Sequence, residues 1–221
     1  MTTTPAAGTA YAPDGTPVEA FALLPPGPAP ALLDGALAPG STVLDLGCGA
    51  GRIAHALIER GHTVTCVDQC AEMLDHVKGA TTHLADIETL ELPGVFDAVI
   101  LASFLVNTPD EVQRARFLDA CARHAALGGK VFVQRLDPEL VPIAVDAESE
   151  EHGVVYEMRD VRHADGRFEA TMRFTIGGRT WEHRYAGVVL DDAEIDDALR
   201  RAGLQRTRYL DAQRTWVEAT R

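Results

Sequence analysis

The feature that most constrains this chain is an alternation of two periodicities. Short apolar runs rich in β-branched residues take turns with segments whose apolar residues recur every three or four positions. The runs are Thr42–Leu46, Thr63–Val67, His83–Ala85, Phe96–Ala102 and Lys130–Gln134. The helical segments are Ala31–Ala38, Arg52–Arg60, Ala71–Lys78 and Pro109–Ala126. Pro39-Gly40, Gly61, Gly79 and Gly128-Gly129 stop them, and Thr108 is the expected N-cap of the longest, with Pro109 at its first position. Strands without a polar face need cover on both sides. The pattern therefore predicts an α/β fold with a doubly wound, mostly parallel sheet.

Beyond Gly153 the period changes. Asp165-Gly166 and Gly177-Gly178 are favoured two-residue hairpin turns. Pairing outward from the second turn sets Thr175 against Thr180, Phe174 against Trp181, Arg173 against Glu182 and Met172 against His183. Apolar partners then share one face and a charge pair takes the other. The first hairpin sets Arg162 against Glu169 and His163 against Phe168. Further out Arg159 would face Met172, so a bulge is expected. A helix over Asp192–Ala202 and strands over Gln205–Leu210 and Arg214–Thr220 close the chain and bring the main sheet to seven strands, the last reversed. Residues 1–30, rich in Ala, Pro and Thr, read as an N-terminal arm with Pro25–Pro30 an extended connector. Residues 31–221 read as one domain carrying an antiparallel insertion at about 150–187.

Charge excludes some partners. With 20 Lys+Arg against 33 Asp+Glu among 221 residues, the net charge is −13. That field repels polyanions, so neither nucleic acid nor an anionic membrane is expected as a partner. No run of 18 apolar residues is present. The first residues carry neither a basic stretch nor an apolar one, which points to the cytoplasm. Cys48, Cys66, Cys70 and Cys121 are then thiols, and their spacing makes no metal set.

The strongest local signal is Val43-Leu44-Asp45-Leu46-Gly47-Cys48-Gly49-Ala50-Gly51, a strand, a glycine loop and a helix start. Such a loop lets a ligand approach backbone and helix N-terminus closely. A tight turn that binds nothing would not need three alternating glycines and an acid. A dinucleotide fingerprint wants a small third residue at position 52, where Arg52 stands. Asp45 would oppose a pyrophosphate but suits an ammonium.

The run Val43–Arg52 resembles the first motif of class I S-adenosylmethionine-dependent methyltransferases, and the resemblance continues in order from about residue 40 to 136 and more weakly to 221. It implies a Rossmann-like sheet, S-adenosylmethionine as cofactor and methyl transfer to a small-molecule acceptor. It implies that Gly47, Cys48 and Gly49 offer backbone to the methionine part and that Asp45 approaches its ammonium. Val67-Asp68-Gln69-Cys70-Ala71-Glu72-Met73 looks like the second motif. There Asp68, with Gln69 beside it, would take the ribose hydroxyls, and Met73 would lie against adenine or simply in the core. Asp86 and Ile87 would read adenine. Ala102 and Ser103 would flank methionine and ribose. All these positions follow strand ends, where open parallel sheets bind ligands.

The cofactor supplies the electrophile, so no catalytic dyad is required. For acceptor contact the candidates are Asn107, Gln134, Arg135, Tyr185 and, from the arm, Tyr11. His183 is the candidate base, its ordinary pKa suiting the task. The run Ser103–Asn107 lacks the Pro-Pro-aromatic pattern of nucleobase methyltransferases. A non-methylating enzyme of the same fold, such as a cyclase, stays open, as less readily do a nicotinamide oxidoreductase and a non-enzymatic binding module. The edge hairpins permit a homodimer.

Overall fold

The computed structural model describes residues 10–164 and 166–221. The main sheet contains β1 (Thr42–Leu46), β2 (Thr63–Asp68), β3 (Thr81–Leu84), β4 (Phe96–Leu101), β5 (Ala125–Gln134), β10 (Gln205–Tyr209) and β11 (Trp216–Thr220). Its order is β10-β11-β5-β4-β1-β2-β3, and β11 alone runs against the rest. Alternate residues of the central strands feed two cores. Leu44, Leu46, Val99, Leu101, Val131 and Val133 pack against α5 (Glu111–His124) and α6 (Asp192–Arg201). Val43, Val64, Ile100 and Phe132 pack against α2 (Ala29–Asp34) and α3 (Arg52–Glu59). Both faces are covered, as strands lacking a polar face require.

Between β5 and α6 lies a second antiparallel sheet: β6 (Ala147–Glu151), β7 (Val154–Ala164), β8 (Arg167–Ile176) and β9 (Arg179–Val188). All four cross-strand pairs expected for the second hairpin are present. So are the two expected beside the first turn, where Asp165 lies outside the described residues. The expected bulge lies between Arg159 and Arg162 and sets Met158, not Arg159, opposite Met172. Asp160 takes φ +54° there. The insertion gains a strand, β6, that the sequence did not announce. Its residues Ala147-Glu148-Ser149-Glu150-Glu151 are all exposed, so no apolar alternation marks them.

Other boundaries shift for local reasons. The arm is not wholly extended: α1 (Val18–Leu23) forms and buries Val18 and Ala20. Helix α2 begins at Ala29, with Pro28 as N-cap and Pro30 in the first turn, where a missing N–H costs nothing. Helix α5 begins at Glu111, because the Asp110 side chain, rather than Thr108, accepts from the amides of Val112 and Gln113 at 2.9 and 3.1 Å. α4 (Ala71–Leu74) is a single turn. β5 reaches back through Gly128-Gly129 to pair Ala125 with Phe96. At Gly129 a Cβ would meet backbone atoms of Ala126 and Phe96 at 2.9–3.1 Å, so the strand needs glycine there.

The N-cap of α6 is a capping box, with Asp191 accepting from Ala193 and Glu194 and Glu194 accepting from Asp191. Asp191→Ala is expected to lower unfolding free energy by about 1 kcal/mol in urea titration. The Asp197→Ala substitution in the same helix, which removes only surface pairs with Arg200 and Arg201, is the control.

Candidate functional site

The carboxyl ends of β1, β2 and β4 converge on one rim. After β1 the chain passes through Gly47, Gly49 and Gly51, all at positive φ (+70°, +54° and +80°). Gly47 has little alternative, since a Cβ there would lie 2.6 Å from Leu105 Cδ1. The amides of Gly47 and Cys48 both donate to the Val67 carbonyl, at 2.8 and 3.0 Å. That of Gly49 donates to Asp68 Oδ2 at 2.8 Å. These three amides, expected to face a ligand, are spent on holding the loop to β2.

Asp45 is the unusual member. It is 1% exposed, and neither carboxylate oxygen has a hydrogen-bond partner among the described residues. Burial, then the nearby Asp68, raise its pKa to about 7, with Arg52 opposing. Buried charge without a partner is costly, so structures seldom keep one without use. The unsatisfied oxygens fit a ligand that brings a cation or strong donors.

Asp68 is half-buried, and burial raises its pKa while the amides of Cys70 and Gly49 oppose that. Its Oδ1 accepts from Cys70 at 2.9 Å, so each oxygen keeps acceptor capacity for a hydroxyl. Gln69 beside it is exposed. Asp86 is exposed and caps the short turn Ile87–Thr89 through Glu88 N at 2.8 Å, and Ile87 is buried. Met73 belongs to the core, packed with Val18, Ala50 and Cys70 beneath α1. The Cys48 thiol is pushed up by a hydrogen bond with Cys66 and by burial. Among the described residues no group of three or more His, Cys, Asp and Glu could hold a metal ion.

After β4 comes buried Ala102, then two successive non-glycine residues in the left-handed region, Ser103 (φ +54°) and Phe104 (φ +61°). Each costs about 1–3 kcal/mol, and such strain gathers where geometry matters. Gln134 holds this turn by accepting from Ser103 N at 2.9 Å.

Three expected acceptor-binding residues are framework instead. Gln134 is the first. Asn107 is fully buried: Nδ2 donates to Val188 O at 2.7 Å, and Oδ1 accepts from Leu136 N at 2.9 Å. It ties the insertion to the rim. Arg135 is fully buried too, donating to the carbonyls of Arg214 and Leu190 at 2.9 Å and to Asp192 Oδ1 at 2.5 Å. Its ion-pair partner is Asp192. Tyr11 is 44% exposed and backbone-paired with Pro17.

His183 and Tyr185 do face the rim, on one side of β9. The His183 ring meets Phe21 of α1 edge-on at 6.2 Å, and the Tyr185 ring meets Phe104 at 6.4 Å. Trp181, two residues earlier on the same strand face, escaped the sequence reading as a site residue. Its spacing from His183 and Tyr185 was the available signal. Helix α1 spans the gap: Val18 packs toward the glycine loop, Phe21 toward β8 and β9, and Glu19 pairs with Arg179.

Residues 43–129 match the family model described as a methyltransferase domain. A ubiquinone biosynthesis O-methyltransferase of Xylella fastidiosa (strain 9a5c) is 34% identical over 114 residues, which is 46% of this chain and 44% of that protein. The match thus spans less than half of the curated relative. Among solved structures, an S-adenosylmethionine-dependent methyltransferase from Clostridium acetobutylicum is similar with TM-score 0.70 at 15% identity, covering 86% of this chain and 87% of that one. A sugar N-methyltransferase from a Streptoalloteichus species is similar with TM-score 0.69 at 18% identity, covering 100% and 98%. At those identities they establish the overall fold alone.

Two outcomes test this site. A raised carboxyl pKa disfavours ionisation in the folded state, so the stability Asp45 contributes is full below its unfolded value, 3.8, and is lost as pH rises through about 7. Asp45→Asn should therefore be more stable than the parent at pH 8, by up to about 4 kcal/mol, and the gap should shrink at pH 5. Urea unfolding at both pH values measures it. Arg135→Met should cost about 3 kcal/mol or more in the same assay, because carbonyls and Asp192 lose a buried partner.

Proposed function

We propose that this chain is an S-adenosylmethionine-dependent methyltransferase acting on a small-molecule acceptor. The observation that carries the reading is the buried, partnerless carboxylate of Asp45 beneath the glycine loop. S-adenosylmethionine, when bound, supplies an electrophilic methyl group on a sulfonium, together with an ammonium and a ribose. Asp45 accepts from the ammonium, and its ionised form is stabilised by that partner. Asp68, with Gln69 beside it, accepts from the ribose hydroxyls through the lone pairs its loop bonds leave free. Asp86 and Ile87 stand where the adenine would be read, and Ala102 and Ser103 border the methionine side. The held turn Ser103-Phe104 and the aromatic wall behind it exclude water and fix the approach of the acceptor. Alignment of this kind supplies about 7–11 kcal/mol of barrier lowering.

The match of residues 43–129 to the methyltransferase domain model supports this reading. So do the curated relatives, which are named as methyltransferases of ubiquinone biosynthesis. The negative charge favours a small acceptor over a nucleic acid. All four cysteines are free, in keeping with a reducing cytoplasm. No helix among the described residues is long and apolar enough to cross a membrane.

Thermal unfolding with saturating S-adenosylmethionine, S-adenosylhomocysteine, NAD or NADP is the direct test. A ligand at 100 times its dissociation constant stabilises by about 2.7 kcal/mol, or roughly 5–11 °C for a domain of this size. A shift with the first two and none with the nicotinamides is expected, followed by release of S-adenosylhomocysteine in the presence of an acceptor. Absence of a shift with either sulfur nucleoside would overturn the reading.

A further inference from the structure

Strand β9 carries three polar atoms that are buried and unsatisfied among the described residues: Trp181 Nε1, His183 Nδ1 and Tyr185 Oη. They stand at every second position, so they share one face and repeat about 6.7 Å apart. Trp181 is 2% exposed. One buried donor without a partner would be an oddity. Three in a row on one strand face form a pattern, since each orphan carries a desolvation penalty.

The surroundings define what could satisfy them. Opposite the three on β8 stand Phe174, Met172 and Ala170, so the facing strand offers no side-chain polar partner. Phe21 of α1 closes one side and Phe104 of the strained β4 turn the other. Arg173 pairs with Glu182 and Glu157 on the opposite face of this sheet. On the same face as the row, the Arg179 guanidinium stacks on the Trp181 ring at 4.8 Å and is already paired with Glu19. Trp181 can only donate, and Tyr185 is held protonated, burial pushing its phenol pKa up, so it donates as well. His183 can do either.

We propose that the inner face of β9 is the acceptor subsite and that the acceptor is an uncharged ring bearing oxygen substituents, held between Trp181, His183 and Tyr185. This rests on the methyltransferase reading for its purpose, but not for its binding chemistry. Oxygens on opposite sides of a six-membered ring span about one repeat of the row, and the aromatic side walls pack the ring itself. A carboxylate or phosphate entering this face would lose its hydration and would find the Arg179 guanidinium already neutralised by Glu19. Gly187 is part of the arrangement. A Cβ there would lie 2.7 Å from Tyr185 Oη, so glycine leaves the phenol its place.

The chain has two tryptophans, Trp181 and Trp216, so nitrogen-15 correlation spectra show two indole N–H signals, assigned by the one that Trp181→Phe removes. The protein, with S-adenosylhomocysteine present, is titrated with hydroquinone, with methyl glucoside and with benzoate up to roughly 20 mM. Hydroquinone represents a planar phenolic source of the oxygens and methyl glucoside a sugar source. At least one of these two is expected to move the Trp181 indole signal while Trp216 stays still, and benzoate is expected to move neither. Tyr185→Phe should raise the midpoint by about 2- to 12-fold, the worth of one hydrogen bond. Gly187→Ala should raise it as well, while the thermal shift given by S-adenosylhomocysteine is unchanged in both variants. A still Trp181 signal with both neutral rings, an equal response to benzoate, or an unaltered midpoint in Tyr185→Phe would each overturn the proposal. If S-adenosylhomocysteine gives no thermal shift but the indole response appears, the cofactor reading falls and the ring subsite stands.

Discussion

An unpaired carboxylate organises the functional end of this molecule. Asp45 sits on the central strand, between β2 and β4, where water cannot reach it and no side chain among the described residues answers it. Keeping it there works against folding once it ionises. The glycine loop above it is anchored downward, through Val67 and Asp68, rather than upward to a ligand. What faces the rim is therefore an acidic floor and not a cradle of amides. A cationic or donor-rich ligand suits that floor, and a pyrophosphate does not.

The second organising constraint is the pinning of the insertion to the rim. Asn107 bonds the end of β9 with one end of its amide and the chain after β5 with the other. Arg135 does the same for the segment around α6 and β11, using a charge-assisted fork. With these two buried, the antiparallel sheet is held with its aromatic face toward the β4 turn and α1. Residues that look like substrate contacts in sequence turn out to set the angle at which the contacts are presented.

Much of this architecture was readable beforehand because it is local. Apolar runs, glycine stops and the Gly177-Gly178 turn each act over a few residues, and cross-strand pairing follows from turn length alone. The misplacements have a common cause. Helix α1 and strand β6 have little periodicity of their own and exist through packing and edge pairing. The start of α5 was decided by competition between Thr108 and Asp110, and the longer reach of the carboxylate over two amides prevailed. Asn107, Gln134 and Arg135 stand beside strand ends, where functional residues also stand, and spacing cannot tell a pin from a contact.

The sequence by itself determined the α/β alternation, the glycine loop and its acid, and the register of the second hairpin. All of these follow from short-range sterics and hydrophobic period. Only the tertiary structure decided that Asp45 has no partner among the described residues, that Arg135 is saturated by two carbonyls and Asp192, and that His183 meets α1 and Tyr185 the Ser103-Phe104 turn. Those are statements about groups that meet across long stretches of chain, from 55 residues between Arg135 and Leu190 to 162 between Phe21 and His183, and hydrogen-bond satisfaction is settled only when every neighbour is in place.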